Sequence, residues 1–210
     1  MRVRLETPVA LVAALFLLSA CSSTRTLPED QAQRVSLYQS KIERLSPYRD
    51  WELEGRLAVA NEKDGGSGMF RWRENGQESH MDFHGALGRG AWVLEAGPGE
   101  AEIRLADGTV RTAGTVTELV RREVGWKIPV DSLSWWVRGL EAPGKTGKKL
   151  LDEEGNLTEL KQNGWTIAFD RYRAFGGVSL PVRLTARQAD WKIKLAIRNW
   201  SLGDPGEARD

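Results

Sequence analysis

Apolar and polar residues alternate with a period of two in several stretches between residues 51 and 200. The stretches 51–59, 70–73, 80–84 and 191–198 place apolar residues at every second position, with charged or small residues between them. Successive side chains of a strand point to opposite faces of a sheet, so each stretch is expected to form a strand with one buried and one solvated face. The alternation therefore predicts a mainly β fold, arranged as an antiparallel meander.

Turn signals indicate hairpin connections between these strands. Gly97-Pro98-Gly99, Asp107-Gly108 and Asn163-Gly164 each lie between apolar stretches, and Asn-Gly is the strongest short signal for a hairpin. The pattern gives about eleven strands. Eleven strands that share one apolar face favour an antiparallel β-barrel or half-barrel.

Two segments have helical spacing instead of alternation. Apolar residues between Val35 and Leu45 predict an N-terminal helix over about residues 29–46. Residues 114–140 interrupt the strands with a helical insert, and Asp131 is expected to cap the second of its two short helices. The insert would act as a lid on the barrel, with these apolar residues facing inward: Val116, Leu119, Val120, Leu133, Trp136, Val137 and Leu140.

The apolar face of the predicted sheet would fill the barrel interior. A small barrel packed with its own side chains needs no ligand, whereas a wider one encloses a cavity. Composition alone fits a packed core, while the nine Trp residues and the separate insert favour a cavity for an apolar ligand. The interior candidates, none of them charged, are Leu57, Val59, Phe70, Trp72, Met81, Phe83, Ile103, Leu105, Ile167, Phe169, Leu184, Ile193 and Leu195.

The first residues of the chain have the pattern of a secretion signal. Arg2 and Arg4 precede the apolar run Val9–Leu18, which is too short to span a bilayer comfortably. Leu18-Ser19-Ala20-Cys21 resembles a bacterial lipobox, in which cleavage precedes an acylated Cys. Ser22 follows the Cys where Asp tends to retain such proteins at the inner membrane, so we expect a lipid anchor at Cys21 in the outer membrane, with the domain facing the periplasm.

Charge and cysteine content exclude several classes of protein. Removal of residues 1–20 takes away Arg2, Arg4 and Glu6 and leaves 28 basic and 28 acidic residues. This balance argues against a nucleic-acid-binding protein, which usually presents a basic face. One Cys excludes an intramolecular disulfide and a Cys-clustered zinc site.

A metal-dependent enzyme is a less favoured alternative. His80, Asp82 and His84 would share one face of a strand, where three such side chains can hold zinc. The register that buries Met81 and Phe83 turns all three to solvent, so solvated polar residues are the favoured interpretation. The sequence contains no Gly-x-Ser-x-Gly motif, and we expect no enzymatic activity, no metal and no cofactor.

Several motifs occur in the order found in a known family. They are Trp51 with Gly55-Arg56-Leu57-Ala58, Phe70-Arg71-Trp72, Leu87-Gly88, Gly125-Trp126-Lys127-Ile128-Pro129, Leu133-Ser134-Trp135-Trp136-Val137-Arg138-Gly139, Gln162-Asn163-Gly164-Trp165, Leu180-Pro181 and Trp200. Through them roughly residues 48–200 resemble the LolB family, the outer-membrane lipoprotein receptors of Gram-negative bacteria. The Gly-Trp-x-Ile-Pro motif followed by Leu-x-x-Trp-x-x-Gly is the most specific part.

The resemblance implies a half-open barrel closed by helices around a hydrophobic cavity. It implies a protein that accepts acylated lipoproteins from the periplasmic carrier LolA and inserts them into the inner leaflet of the outer membrane, without nucleotide or metal. The expected partners are LolA, the lipoprotein cargo and outer-membrane phospholipid, and we expect a monomer. A structural or scaffolding outer-membrane lipoprotein with a packed barrel is the alternative.

The family also implies a membrane-insertion loop. Its members carry an exposed Leu on a loop between strands, commonly within Pro-Leu-Gly. Here the loop is Gly85-Ala86-Leu87-Gly88, so Leu87 matches and Ala86 stands where Pro is usual. The residues alone fit either an exposed Leu87 or one folded onto the core, and the resemblance favours insertion. Arg89 would then lie near lipid phosphates.

The predicted organisation has four parts. Residues 1–20 form a signal peptide, residues 21–30 a lipidated tether, residues 31–202 a LolB-like lipoprotein-binding domain and residues 203–210 a polar C-terminal tail.

Overall fold

The computed structural model describes residues 29–85 and 90–204, which form an N-terminal helix, eleven strands and a helical insert. The predicted strand number and both helical regions are confirmed. The elements are α1 Glu29–Leu45, β1 Trp51–Ala60, β2 Gly65–Asn75, β3 Glu78–Gly85, β4 Trp92–Gly97, β5 Glu100–Leu105, β6 Val110–Ala113, α2 Val116–Leu119, a π-helical turn Val120–Val124, α3 Val130–Trp136, β7 Lys148–Leu151, β8 Leu157–Gln162, β9 Trp165–Phe175, β10 Val178–Gln188 and β11 Trp191–Leu202.

The strands form one antiparallel sheet in the order β6-β5-β4-β3-β2-β1-β11-β10-β9-β8-β7. Two meanders, β1–β6 and β7–β11, are joined where the first strand pairs with the last, from Trp51 opposite Leu202 to Ala60 opposite Lys192. β6 and β7 are the two edges and do not pair with each other, so the sheet stays open, as the half-open barrel prediction requires.

The helical insert connects the two edge strands. The chain leaves β6, forms α2, the π-helical turn and α3, and enters β7 at the other edge of the sheet. Thr115 caps α2, because its side chain accepts a hydrogen bond from the Glu118 N–H at 3.2 Å. The insert is therefore placed by topology at the open side of the sheet.

The predicted cap of α3 is wrong by two positions. Pro129 occupies the N-cap position, and Asp131 lies inside the first turn. Proline fits at a helix start because its φ is fixed and its missing N–H would be unpaired there anyway. The Asp131 carboxylate accepts a hydrogen bond from the Thr117 hydroxyl at 3.3 Å instead.

The period-two alternation sorts the side chains by face. In β3, Met81 and Phe83 are buried, His80 and Asp82 are half-buried and His84 is exposed.

Four strands, β1, β4, β9 and β11, begin with a buried Trp. Among the described residues, no helix combines the length and the apolar character needed to cross a membrane.

Candidate functional site

The inner face of the sheet carries the predicted interior residues. Twelve of the thirteen are buried, at 6% exposure or less, and Leu105, at the end of β5, is half-buried. The β1–β11 register brings the two meanders together there, since Leu57 pairs with Leu195 and Val59 with Ile193. The result is a continuous apolar surface, and contact of these residues with an acyl chain stays a prediction.

The helical insert adds a second apolar wall. Six of its seven predicted inward residues are buried, and Val116 is half-buried against the same core. α2 lies beside β5 and β6, at one edge of the sheet. In this closed arrangement the space between sheet and insert is filled by their own side chains.

A line of aromatic rings crosses the inner face and ends on the insert. It runs from Trp51, which contacts Trp200, through Trp72 and Phe70 to Trp92 and Phe83, with neighbouring centroids 5.3–6.3 Å apart. Trp126, just before α3, completes it with an edge-to-face contact to Phe83 at 5.1 Å. Aromatic contacts of this kind add about 0.5–1.5 kcal/mol beyond the buried area. The insert is thus held to the sheet largely by apolar and aromatic contact at this end.

Trp92 is a member of this line that the sequence analysis missed. Its ring is 4% exposed, and its indole N–H is the only buried side-chain polar atom of the described residues without a hydrogen-bond partner. An unpaired buried donor costs about 1–3 kcal/mol. The signal for Trp92 was the alternation Trp92-Val93-Leu94-Glu95, which marks a strand directly before the Gly97-Pro98-Gly99 turn.

The opposite end of the insert is held by buried hydrogen bonds. Gln162, at the end of β8, accepts from the Trp136 indole N–H and from the Ala142 N–H, both at 2.9 Å. Its amide nitrogen donates to the carbonyls of Ala142 and Lys145 at 2.8 and 2.9 Å. α3 is therefore fixed to β8, whereas Trp126 itself rests on the sheet by ring contacts, and Arg122 in the turn before it donates to the Thr112 carbonyl of β6 at 2.8 Å.

α1 closes the same half of the molecule through buried polar groups. The Tyr38 hydroxyl accepts a hydrogen bond from the Glu141 N–H at 3.1 Å, and Lys41 donates to Asn156 at 3.1 Å. The Lys41 ammonium lies 4.3 Å from the centroid of the Tyr172 ring. Burial lowers the pKa of Lys41 to about 7, against the opposing effect of nearby Asp152. Sequence reasoning missed Lys41, since its spacing on the helix places it only approximately on the apolar face.

Arg138 is a second buried cation, placed at the end of the aromatic line. Its guanidinium lies 4.7 Å from the Trp135 ring centroid and 5.7 Å from that of Trp51, and its Nε donates to the Ser134 carbonyl at 3.1 Å. Burial lowers the pKa of Arg138 to about 10, opposed by the charge of Glu74. The group therefore stays charged at neutral pH, stabilised by the charge of Glu74 and by the two aromatic faces.

Two predicted sites lie outside the described residues: the lipidated Cys21 and the loop residues Ala86, Leu87 and Gly88, with Arg89. The described chain ends at Gly85, the last residue of β3, which pairs with Gly68, and resumes at Gly90 before β4. The loop that carries Leu87 therefore connects β3 and β4.

The three polar residues of β3 do not assemble a metal site. The Nε2 of His80 lies 3.0 Å from the Asp82 carboxylate, and its Nδ1 lies 3.4 Å from Glu95. No group of three or more His, Cys, Asp or Glu within residues 29–85 and 90–204 has the arrangement of a metal site.

Comparison with known proteins agrees with this architecture. Residues 49–200 match the family described as Outer membrane lipoprotein LolB. The chain is 35% identical over 195 residues to the Outer-membrane lipoprotein LolB of Alkalilimnicola ehrlichii, which covers 92% of this chain and 96% of that protein. It is also 35% identical to the protein of the same name from Marinobacter nauticus, over 86% of each chain.

A solved structure shares the fold at low sequence identity. A putative outer membrane lipoprotein-sorting protein domain from Vibrio parahaemolyticus superposes with a TM-score of 0.52 at 9% identity, over 84% of this chain and 94% of that one. At this identity the likeness concerns the fold alone. The family match and the identity to full-length relatives show that the chain belongs to the LolB family of outer-membrane lipoproteins.

Proposed function

We propose that this protein receives acylated lipoproteins from the periplasmic carrier LolA in a hydrophobic cavity and inserts them into the inner leaflet of the outer membrane. The observation that carries the proposal is the predominantly apolar inner face of an open sheet, covered by an insert that joins its two unpaired edges. Membership of the LolB family supports the same role.

The cavity would form when the insert moves from the sheet at its Trp126 end. Trp126 contacts Phe83 and Trp92 through rings only, while α3 is held to β8 by Gln162. Each methylene of an entering acyl chain gains about 0.8 kcal/mol on burial. The acyl chain would thus replace apolar side chains of the insert as the contact of the inner face. Because both are apolar, this exchange needs no nucleotide.

The unpaired Trp92 indole N–H would assist this opening. It makes the closed packing about 1–3 kcal/mol less favourable than a fully satisfied one. Opening would let the donor meet water or a carbonyl of the acylated cargo.

Two parts of the chain would contact the membrane, the lipid on Cys21 and the β3–β4 loop. A lipid on Cys21 would lie eight residues before Glu29, the first residue of α1, which limits the extended tether to about 28 Å. The β3–β4 loop would place Leu87 in the leaflet while cargo leaves the cavity.

A handover experiment tests the proposal. A variant that begins at Ser22 keeps every described element, since these lie between Glu29 and Leu202 and share one core. We expect this variant to remove an acylated lipoprotein from purified LolA, and to leave the same cargo in place when the cargo lacks its acyl chains. If acylated cargo stays on LolA, the carrier role is excluded.

The filled interior favours a second candidate function, a scaffolding outer-membrane lipoprotein with a permanently packed sheet. Such a protein would bind neither acylated cargo nor a fluorescent fatty acid. The two functions therefore give opposite results in the same experiment.

A further inference from the structure

The outer face of the sheet contains a basic cleft. Its volume is about 350 Å³. Five arginines from four adjacent strands line it, and its lining contains no acidic side chain. We refer to Arg56, Arg171, Arg173, Arg183 and Arg198 together as the arginine cleft.

Strand register places these arginines side by side. Arg56 of β1 and Arg183 of β10 both pair with Ala196 of β11, on its two sides, and Arg183 pairs directly with Arg171 of β9. All three arginines are exposed, whereas the residue that follows Arg56 in its strand, Leu57, is buried. The row is therefore a feature of the rigid sheet and not of a mobile loop.

The charge of the arginine cleft is not neutralised within the described residues. None of its five guanidinium groups has a carboxylate within 4 Å there. Like charges directly opposite on neighbouring strands, such as Arg183 and Arg171, destabilise a sheet. An anion bound in the cleft would offset this repulsion.

On the other side of β1, towards β2, the outer face of the sheet pairs its positive charges with carboxylates. Arg71 of β2 forms an ion pair with Glu54, and Arg73 pairs with Glu52 at 2.8 Å, both across the β1–β2 ladder. The contrast across β1 shows that the sequence can neutralise outer-face arginines and does not do so in the cleft.

The basic surface extends further along β10 and β11. Arg187 pairs with Lys192, and Lys194 lies two residues on along the same outer face of β11. The charges of Lys194 and Arg187 lower the pKa of Lys192 below its usual range. A near-neutral chain therefore carries a local concentration of positive charge on one part of the sheet.

The arginine cleft also lies near the predicted insertion loop. Arg56 pairs with Met69 of β2, and Met69 pairs with His84 of β3. Gly85 follows at once and is the last residue before the loop that carries Leu87. The row of outer-face residues thus runs from the cleft to the base of the β3–β4 loop, two strands away.

We propose that the arginine cleft binds the phosphate groups of anionic phospholipids and docks this side of the sheet onto the membrane surface. Guanidinium groups match phosphate oxygens with two parallel hydrogen bonds, which an ammonium group does not do. A membrane surface presents many phosphates at once, as a row of arginines on four strands requires. The inference deepens the proposed function, because a protein that inserts lipoproteins must first meet the leaflet.

Vesicle binding without cargo tests the docking surface separately from the carrier role. The variant that begins at Ser22 is sedimented with vesicles of phosphatidylethanolamine, with and without phosphatidylglycerol. We expect binding that requires phosphatidylglycerol and weakens with salt. Arg171→Gln with Arg183→Gln should weaken it about thirtyfold, given the usual contribution of a basic residue near an anionic leaflet.

A matched control removes the same charge elsewhere. Lys148→Gln with Lys161→Gln changes two lysines that lie opposite each other on β7 and β8, at the edge of the sheet. This double variant should alter vesicle binding less than about twofold. Equal losses in both double variants would overturn the proposal, since net charge alone would then explain them. Unchanged vesicle binding with impaired capture of cargo from LolA would also overturn it and assign the cleft to a protein partner. Failure of cargo capture with intact vesicle binding would instead exclude the carrier role and leave the docking surface.

Discussion

The ring of Trp126 lies directly over Gly66 of β2, where an added β-carbon would be 2.8 Å from the Trp126 Cζ2 atom. Glycine at this position allows the insert to approach the sheet closely, and the two residues come from opposite sides of the proposed cavity. The contact is therefore a sensitive point for the closed state.

Gly66→Ala should loosen the Trp126 end of the insert. Overpacking of this kind costs about 1–3 kcal/mol. We expect lower stability in urea denaturation and severalfold tighter binding of a fluorescent fatty acid, because the closed state loses more than the open one. Gly97→Ala is the control, since a β-carbon there meets nothing within 4 Å. Reduced stability with weaker fatty-acid binding would contradict an opening at Trp126.

Gln162→Leu should weaken the attachment of α3 to β8. The substitution leaves the Trp136 indole and the Ala142 N–H without acceptors, at about 1–3 kcal/mol for each buried donor. The free energy of unfolding should fall accordingly. Gln188→Leu, which loses one 3.4 Å contact at the surface, should change it by less than about 0.5 kcal/mol. Equal effects of the two substitutions would show that Gln162 does not hold α3.

Lys41 should make stability depend on pH. Its pKa is about 7 in the folded chain and has its usual value of 10.5 when exposed, so the unfolded chain binds more protons between these two pH values. The free energy of unfolding should therefore rise with pH above 7, by at most about 1.4 kcal/mol per pH unit. Lys41→Met should flatten this rise, whereas Lys148→Met, at an exposed lysine, should preserve it. An unchanged pH profile in Lys41→Met would show that another group titrates.

Leu87→Glu should impair the insertion of lipoproteins into membranes without impairing their uptake from LolA. The variant is expected to take lipoproteins from LolA normally but to deliver them to membranes at least about tenfold less well, because placing a charged side chain in the leaflet costs about 2.5–3.5 kcal/mol. Leu150→Glu changes a Leu that is 61% exposed on β7 and should leave both steps intact. Loss of acceptance in Leu87→Glu would place Leu87 in the cavity or the fold.

The strands were predictable because their period is short and local. Alternation placed Leu57, Phe83 and Ile193 on the buried face without any knowledge of which strands pair. The antiparallel meander was predictable from the same pattern, with turns such as Asn163-Gly164 between strands, whereas the half-open form was expected from the family resemblance.

Features that depend on pairing between distant strands were not predictable. Arg56 and Arg171 lie more than a hundred residues apart, and only the β1–β11–β10–β9 order makes them neighbours. The closeness of Gly66 and Trp126 depends in the same way on where the insert crosses the sheet. The cap at Pro129 was missed because Asp131 carries the stronger local signal.

The central claim is that acyl chains enter the space between the inner face of the sheet and the helical insert. A fatty acid with a photoreactive group at the end of its chain tests this most directly, with labelled peptides identified by mass spectrometry. We expect labels on inner-face residues such as Phe83, Trp92 and Trp126, and loss of labelling when acylated lipoprotein competes. Labels confined to outer-face residues such as Met69, or unchanged by the competitor, would contradict the account.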